Sequence, residues 1–171
     1  MNRRRWVASI VGLGLLAAAS TASAIGDDKN SQPSLKGLSK LVVVVQIENP
    51  VSADFKRAGL TEERIRAGIE LKLRETKIDV VYRETLPADI PVLHVEVNGS
   101  KRDDKTFTFL IAVELWQKSM LKRDPKIEVM AATWSTGVFG LGSASNIAND
   151  MMGWINGAMD AFVKAFLSAN L

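Results

Sequence analysis

The chain has 171 residues, one His, no Cys and a formal net charge of +3 at pH 7. Without Cys, thiol catalysis, disulfides and a lipid-modified N-terminal Cys are excluded, and a single His excludes metal sites built from several histidines. Three of the 22 basic residues are Arg3, Arg4 and Arg5, and the remaining 19 equal the 19 acidic residues in number. Net charge therefore does not support binding to nucleic acid or to anionic lipid.

The N-terminus has the three parts of a secretory signal peptide. The arginines at 3–5 precede an apolar run, Trp6 to Ala19, which is shorter than the ~20 residues that a membrane span needs. Ala22-Ser23-Ala24 then supplies the small-x-small pattern that signal peptidase accepts. The sequence predicts a signal peptide over residues 1–24, cleavage after Ala24 and a periplasmic location. An uncleaved N-terminal anchor is the alternative.

Residues 25–39 are polar and rich in turn formers, which predicts a flexible leader. Residues 40–171 have the size of a single domain and contain no internal repeat.

The first part of this domain predicts a strand, a helix and a second strand. Leu41 to Glu48 is rich in β-branched residues and predicts a buried strand that Pro50 ends. Thr61 has the features of an N-cap, and apolar residues at helical spacing predict an amphipathic helix over 62–75. A short strand is predicted over Ile78 to Tyr82.

Three further strands and a long helix follow. Alternating apolar residues predict strands over Pro91 to Asn98, Thr106 to Gln117 and Lys126 to Ser135, and the short polar turns between them predict an antiparallel meander. An apolar stripe predicts a helix over Ser145 to Leu167. The predicted fold is α+β: a two-layer sandwich with a mostly antiparallel sheet of four to five strands, in the order β-α-β-β-β-β-α, and two helices on one face.

A glycine-rich stretch, WSTGVFGLGSASN at 134–146, connects the last strand to the last helix. Its spacing is neither that of a P-loop nor G-x-G-x-x-G, and no Lys follows the last glycine, which argues against a phosphate cradle. The stretch predicts a flexible connection. Phe139 and Leu141 lie between its glycines, and a purely polar loop would not need them. They suggest an apolar tip that docks into a partner.

The strand alternation also places apolar side chains on the sheet face away from the helices. Leu110 and Trp116 are assigned to that face on one strand, and Met130 and Trp134 on the next. They form either an intermolecular surface or a face covered by residues 50–60 or by the leader.

Catalytic patterns are sparse. His94 and Glu96 share one strand face and could form a base with its orienting carboxylate, but a solvated polar face explains them better. Asp103 and Asp104 lie in a turn beside three basic residues, which makes them a weak metal site. The sequence predicts no catalytic residue, no cofactor and no metal, and thus no enzyme.

The segment ADIPVLHVEVNG…FTFLIAVELWQ…IEVMAATWSTG resembles stretches of uncharacterised exported bacterial proteins with a Trp-Ser-Thr-Gly ending before the last helix. The order of elements over about residues 40–168 also resembles small envelope-assembly domains. These belong to the curli-secretion, penicillin-binding-protein activator and lipopolysaccharide-assembly lipoproteins. This chain departs from those families because it has no lipid-bearing Cys, so the resemblance transfers no functional residue.

Together these features predict a soluble periplasmic accessory or binding protein that acts through protein–protein contact. The predicted partner is an envelope protein or a second copy of the chain, with no nucleic acid and no stable membrane insertion after signal cleavage. The candidate partner-binding residues are Phe139, Leu141, Trp116, Met130 and Trp134. The alternative is a carrier of a small ligand or lipid, which would use a cleft between the helices and the sheet.

Overall fold

A computed structural model describes residues 23–26, 30–48, 52–82 and 89–171. The predicted signal peptide lies outside these ranges except for its last two residues. The strands are β1 (Ser23–Gly26), β2 (Lys40–Ile47), β3 (Asp79–Val80), β4 (Val92–Lys101), β5 (Thr106–Leu121) and β6 (Asp124–Ser143). The α-helices are α1 (Ser52–Arg57), α2 (Glu62–Leu73) and α3 (Ile147–Asn170), and a 3-10 helix spans Gln32–Leu35.

The strands form one mixed sheet in the order β1-β6-β5-β4-β2-β3. The pairs β4–β5 and β5–β6 are antiparallel, which confirms the predicted meander. β2 lies parallel to β4 and to β3, with α1 and α2 in the crossover to β3. The arrangement confirms the predicted α+β class.

The core lies between one face of the sheet and the helices α2 and α3. The β-branched residues of β2 and the alternating residues of β4 and β5 supply the sheet side, and the predicted apolar stripe of α3 supplies the other. Thr61 caps α2 as predicted, because its Oγ1 accepts a hydrogen bond from the backbone N–H of Arg64 at 3.2 Å. The sheet face away from α2 and α3 is called the outward face below.

The β5–β6 hairpin is longer than the sequence predicts. The turn consists of Lys122 and Arg123 only, and the strands continue to Leu121 and from Asp124. β4 reaches only as far as Trp116 of β5. Residues 117–121 and 124–131 therefore extend past β4 as a two-stranded hairpin, called the arm below.

The predicted glycine connection is wrong, because residues 134–143 continue β6. The glycines serve close packing rather than bending. A Cβ atom on Gly140 would lie 2.8 Å from Cζ of Phe109, and one on Gly142 would lie 2.8 Å from Cδ1 of Ile147. Glycine in a strand interior often marks such a close approach.

A β-bulge at Thr133 divides β6. Leu115 pairs with Trp134, but the next residue of β5, Trp116, pairs with Ala132, so Thr133 is the extra residue. Its Oγ1 accepts a hydrogen bond from Gln117 Nε2 at 2.7 Å and donates one to the carbonyl of Leu115 at 3.2 Å. The bulge reverses which residues of β6 face the core.

The predicted flexible leader, residues 25–39, contains ordered elements. Gly26 ends β1, and Leu35 of the 3-10 helix is fully buried in the core. The carbonyl of Leu35 accepts a hydrogen bond from Asn170 Nδ2 at 3.1 Å, which joins this segment to the end of α3. Leu35 could not be assigned to the core from its polar surroundings in the sequence.

Among the helices in the described ranges, none has the length and apolar character needed to cross a membrane.

Candidate partner-binding surface

Three exposed apolar side chains lie together on the outward face. Leu110 of β5 and Phe139 of β6 are directly paired, and Leu141 follows two residues further along β6. Their exposed fractions are 37%, 52% and 41%, respectively. Leu110, Phe139 and Leu141 are called the outward patch below. The patch confirms the predicted exposure of Phe139 and Leu141, but on a paired strand and not on a loop tip.

A shallow hollow of about 170 Å³ adjoins the outward patch. Leu110 and Phe139 form part of its wall together with polar and small residues, namely Asn98, Gly99, Ser100 and Thr108. Thr108 is held in place because its hydroxyl donates to the carbonyl of Ser100 at 3.2 Å. The hollow can accept an apolar side chain while the surrounding polar groups remain hydrated.

Trp116 faces outward, as predicted, but lies away from the outward patch. It is half-buried, and its Nε1 donates a hydrogen bond to Glu114 Oε2 at 2.8 Å. Six residues of β5 separate it from Leu110, which corresponds to about 20 Å along the strand. Trp116 and the outward patch therefore do not form one continuous surface.

Met130 belongs to the arm. Its side chain is 44% exposed, and it pairs with Lys118 of β5. Because Lys118 is eight residues from Leu110, Met130 lies about 27 Å from the outward patch along the strands. The structure thus separates Met130 from Phe139 and Leu141, with which the sequence grouped it.

The predicted position of Trp134 on the outward face is wrong. The bulge at Thr133 turns Trp134 toward the helices, where it is 1% exposed. Its ring meets that of Phe162 in α3 edge to face, with 5.1 Å between centroids. A partner cannot reach Trp134 in this fold. The sequence prediction continued the strand alternation from residue 126 without a bulge and therefore assigned Trp134 to the wrong face of the sheet.

Each of the two segments suggested as covers for the outward face has a buried residue that packs on the helix side of the sheet. In the described part of residues 50–60, Phe55 is fully buried and packs on Phe107 of the core face, with 5.7 Å between ring centroids. Leu35 of the leader also belongs to the core cluster. These described side chains therefore do not cover the outward patch.

The polar pair His94 and Glu96 does not form a dyad. His94 Nε2 lies 3.4 Å from Gln46 Oε1, and Glu96 accepts a hydrogen bond from Asn98 instead. The base and orienting roles considered for the two residues have no geometric support in this arrangement.

Asp103 and Asp104 are engaged locally. Asp103 Oδ1 accepts a hydrogen bond from the backbone N–H of Lys105 at 2.8 Å, and this contact is the main reason that the pKa of Asp103 lies below its ordinary value. Asp104 pairs with Lys101 at 2.9 Å. Within the described ranges, no group of three or more His, Asp or Glu side chains could hold a metal ion.

A second hollow, of about 310 Å³, opens at the end of β2 beside α1 and the start of α2. Its lining includes Ile47, Leu60 and two carboxylates, Glu62 and Glu63. The pKa of Glu63 lies below its ordinary value, first because of a backbone hydrogen bond and then because of the Thr61 hydroxyl. This hollow is at the end of the sheet, whereas the carrier alternative requires a cleft between the sheet and the helices.

The layer between the sheet and the helices contains the apolar core, which includes two aromatic pairs. Trp134 packs on Phe162, and Phe109 packs on Trp154 with 6.3 Å between ring centroids. Large aromatic pairs of this kind supply much of the buried apolar area of a core.

No protein-family model matches the sequence, and no curated protein matches it. Among solved structures, the chain is similar to a PelC dodecamer from Paraburkholderia phytofirmans, with 14% sequence identity and a TM-score of 0.43. The similarity covers 84% of this chain and 97% of that one. It is too distant to support a conclusion about function, and the resemblance to envelope-assembly domains stays a prediction.

Proposed function

We propose that this chain is an exported accessory protein of the bacterial cell envelope that binds another envelope protein through its outward patch. The N-terminal sequence supports export, because residues 1–24 have the charge, apolar length and small-residue pattern of a signal peptide. The single observation that carries the binding function is the exposure of Leu110, Phe139 and Leu141 side by side on adjacent strands.

The position of these residues favours recognition of a folded or extended protein segment. Strands β5 and β6 pair over most of their length, so the patch needs little ordering when it binds. The adjoining hollow offers space for an apolar side chain, and Asn98, Ser100 and Thr108 supply a polar rim. We expect the partner to insert one apolar side chain beside Phe139.

Crosslinked co-purification from the native envelope tests this function. Three forms are compared after export: the wild type, Phe139→Asp and Leu71→Asp. Leu71 lies on α2 and is 63% exposed, so it is a matched control for placing a carboxylate at an exposed apolar position. We expect the wild type and Leu71→Asp to capture the same defined envelope protein and Phe139→Asp to lose it.

Thermal unfolding of the three forms separates binding from folding. Because both positions are exposed, each substitution is expected to lower the free energy of unfolding by no more than about 1 kcal/mol, mainly through the low strand and helix propensity of Asp. Absence of a partner with all three forms contradicts the proposal. A thermal shift with small ligands or lipids would then favour the carrier alternative.

A further inference from the structure

The arm has two edges that no other described strand covers. β1 pairs with β6 only from Thr136 to Phe139, and β4 ends its pairing with β5 at Trp116. Within the described ranges, the outer edge of residues 124–131 therefore has no strand beside it. An isolated two-stranded hairpin is at best marginally stable in water, and a free strand edge is a template for pairing with another chain.

Both faces of the arm expose apolar side chains. Met120 and Met130 lie on one face, in ladder pairs separated by the pair Ser119–Val129, and are 67% and 44% exposed. Ile127 and Val129 alternate with them and are 43% and 36% exposed. Exposure on both faces is unusual for a hairpin at the surface of a monomer and indicates an element that another chain covers.

The charges along the outer edge of β6 identify the partner. Lys126 and Glu128 flank Ile127. If two copies of this edge pair antiparallel with Ile127 opposite itself, each Lys126 lies opposite Glu128 of the partner subunit. Opposite charges facing each other across strands are stabilising, whereas like charges are destabilising.

Neighbouring registers lack this match. With Glu128 opposite itself, two carboxylates meet, and with Val129 opposite itself, Glu128 faces Met130. Pro125 lacks an amide hydrogen and limits the ladder near the turn. The Ile127-centred register is thus the one in which the edge is complementary to itself.

We propose that the arm is a self-association surface through which two copies pair antiparallel along β6, with Ile127 on the two-fold axis. The sheet then continues from one chain into the other, as in recognition by strand addition. A two-fold contact of this kind is self-complementary and closes at a dimer. The surface is separate from the outward patch, so the proposal extends the envelope-binding function and does not depend on it.

Single-cysteine crosslinking tests the register, because the native chain contains no Cys. Ile127→Cys should form a disulfide-linked dimer under mild oxidation. Val129→Cys is the matched control, with the same face and similar exposure. In the proposed register its two copies lie about 13 Å apart, beyond the ~7 Å Cα separation that a disulfide can bridge. Equal crosslinking at both positions, or none at Ile127, overturns the register.

Charge exchange tests the same contact without cysteine. Lys126→Glu and Glu128→Lys should each raise the dimer dissociation constant about tenfold, measured by sedimentation velocity. An equimolar mixture of the two variants should restore a mixed dimer, because each introduced charge faces its opposite. Failure of the mixture to associate contradicts the proposal.

Two further variants serve as controls for the charge exchange. Glu128 also pairs with Lys118 inside the arm, so Lys118→Ala shows what losing that internal pair does alone. Lys118→Ala should leave the dimer dissociation constant nearly unchanged. Phe139→Asp should also dimerise as the wild type does, which keeps this test distinct from that of the outward patch. Loss of the dimer in either control overturns the proposed interface.

Discussion

The two halves of β6 differ in what surrounds them, although both pair with β5. Residues 134–143 pack against the core on the side that α3 covers, and β1 pairs with their outer edge from Thr136 to Phe139. Residues 124–131 are the β6 strand of the arm, and all of them except Ala131 are exposed. The bulge at Thr133 separates the halves and reverses the alternation between them. One strand can therefore provide both a rigid base for the outward patch and an uncovered edge.

Exposure of an apolar residue has different consequences in the two halves of β6. Phe139 is exposed on a strand whose opposite face is buried, so its environment is fixed by the fold. Ile127 is exposed on the arm, where apolar side chains are exposed on both faces in the described part of the chain. We infer a preformed site at Phe139 and an association-dependent one at Ile127.

The largest expected effect is on stability at Trp134. Trp134→Ala should lower the free energy of unfolding by about 3–5 kcal/mol, because it removes the ring that packs on Phe162. Met130→Ala, in the arm, should cost less than about 0.5 kcal/mol in the monomer. Urea denaturation at low protein concentration measures both, and equal losses would abolish the distinction between the halves.

Trp134→Phe refines this first test. The variant keeps an aromatic ring against Phe162 and removes an indole N–H that is buried without a hydrogen-bond partner in the described structure. The free energy of unfolding of Trp134→Phe should fall by less than about 1.5 kcal/mol. A loss as large as that of Trp134→Ala would mean that ring packing is not the main contribution.

Glycine substitutions should give effects of opposite sign. Gly140→Ala forces a Cβ atom into the ring of Phe109 and should destabilise by about 1–3 kcal/mol. Gly153→Ala in α3 meets no atom within 4 Å and should stabilise by about 0.5–1 kcal/mol through helix propensity. A neutral Gly140→Ala would indicate that residues 134–143 pack more loosely than described.

Removing the side-chain hydrogen bonds of the bulge should have an intermediate effect on stability. Thr133→Val keeps the shape of the side chain and removes the hydroxyl that bonds Gln117 and Leu115. The expected loss is about 1–2 kcal/mol in urea denaturation, with Gln117→Leu as the reciprocal single variant. If the two losses add fully in the double variant, the hydroxyl and amide do not act together.

The smallest expected change is in the rate of hydrogen exchange at backbone amides. Within residues 126–130, the backbone amides that point away from β5 should gain protection as protein concentration rises, because association covers that edge. Residues 136 and 137 pair with Gly26 and Ile25, which remain in the chain after cleavage at Ala24, so their amides should not respond to concentration. Hydrogen exchange resolved by residue measures both, and concentration-independent rates in the arm would argue against self-association.

Periodicity was sufficient to predict much of the fold. The β-branched run of β2, the Thr61 cap of α2 and the apolar stripe of α3 are local signals, and the structure confirms all three. Short polar turns likewise predicted the meander. These features depend on neighbours a few residues apart, which the sequence displays directly.

The errors arose where distant residues decide the local structure. The bulge depends on Thr133 bonding to Gln117, 16 residues away. Gly140 was predicted to belong to a flexible connection. The side chain that requires glycine at this position is Phe109 on the adjacent strand β5, which is far from Gly140 in the sequence. The exposure of Phe139 and Leu141 was predicted from the sequence, but only the register of β5 with β6 adds Leu110 and separates Met130.

The most direct test of the account places one photo-crosslinking residue in each half of β6, at Phe139 and at Ile127, in cells that export the full chain. We expect the residue at position 139 to capture an envelope protein other than this chain and the residue at position 127 to capture a second copy of this chain. Capture of the same species at both positions, or of no protein at Phe139, would contradict the division of β6 into a partner site and a self-association site.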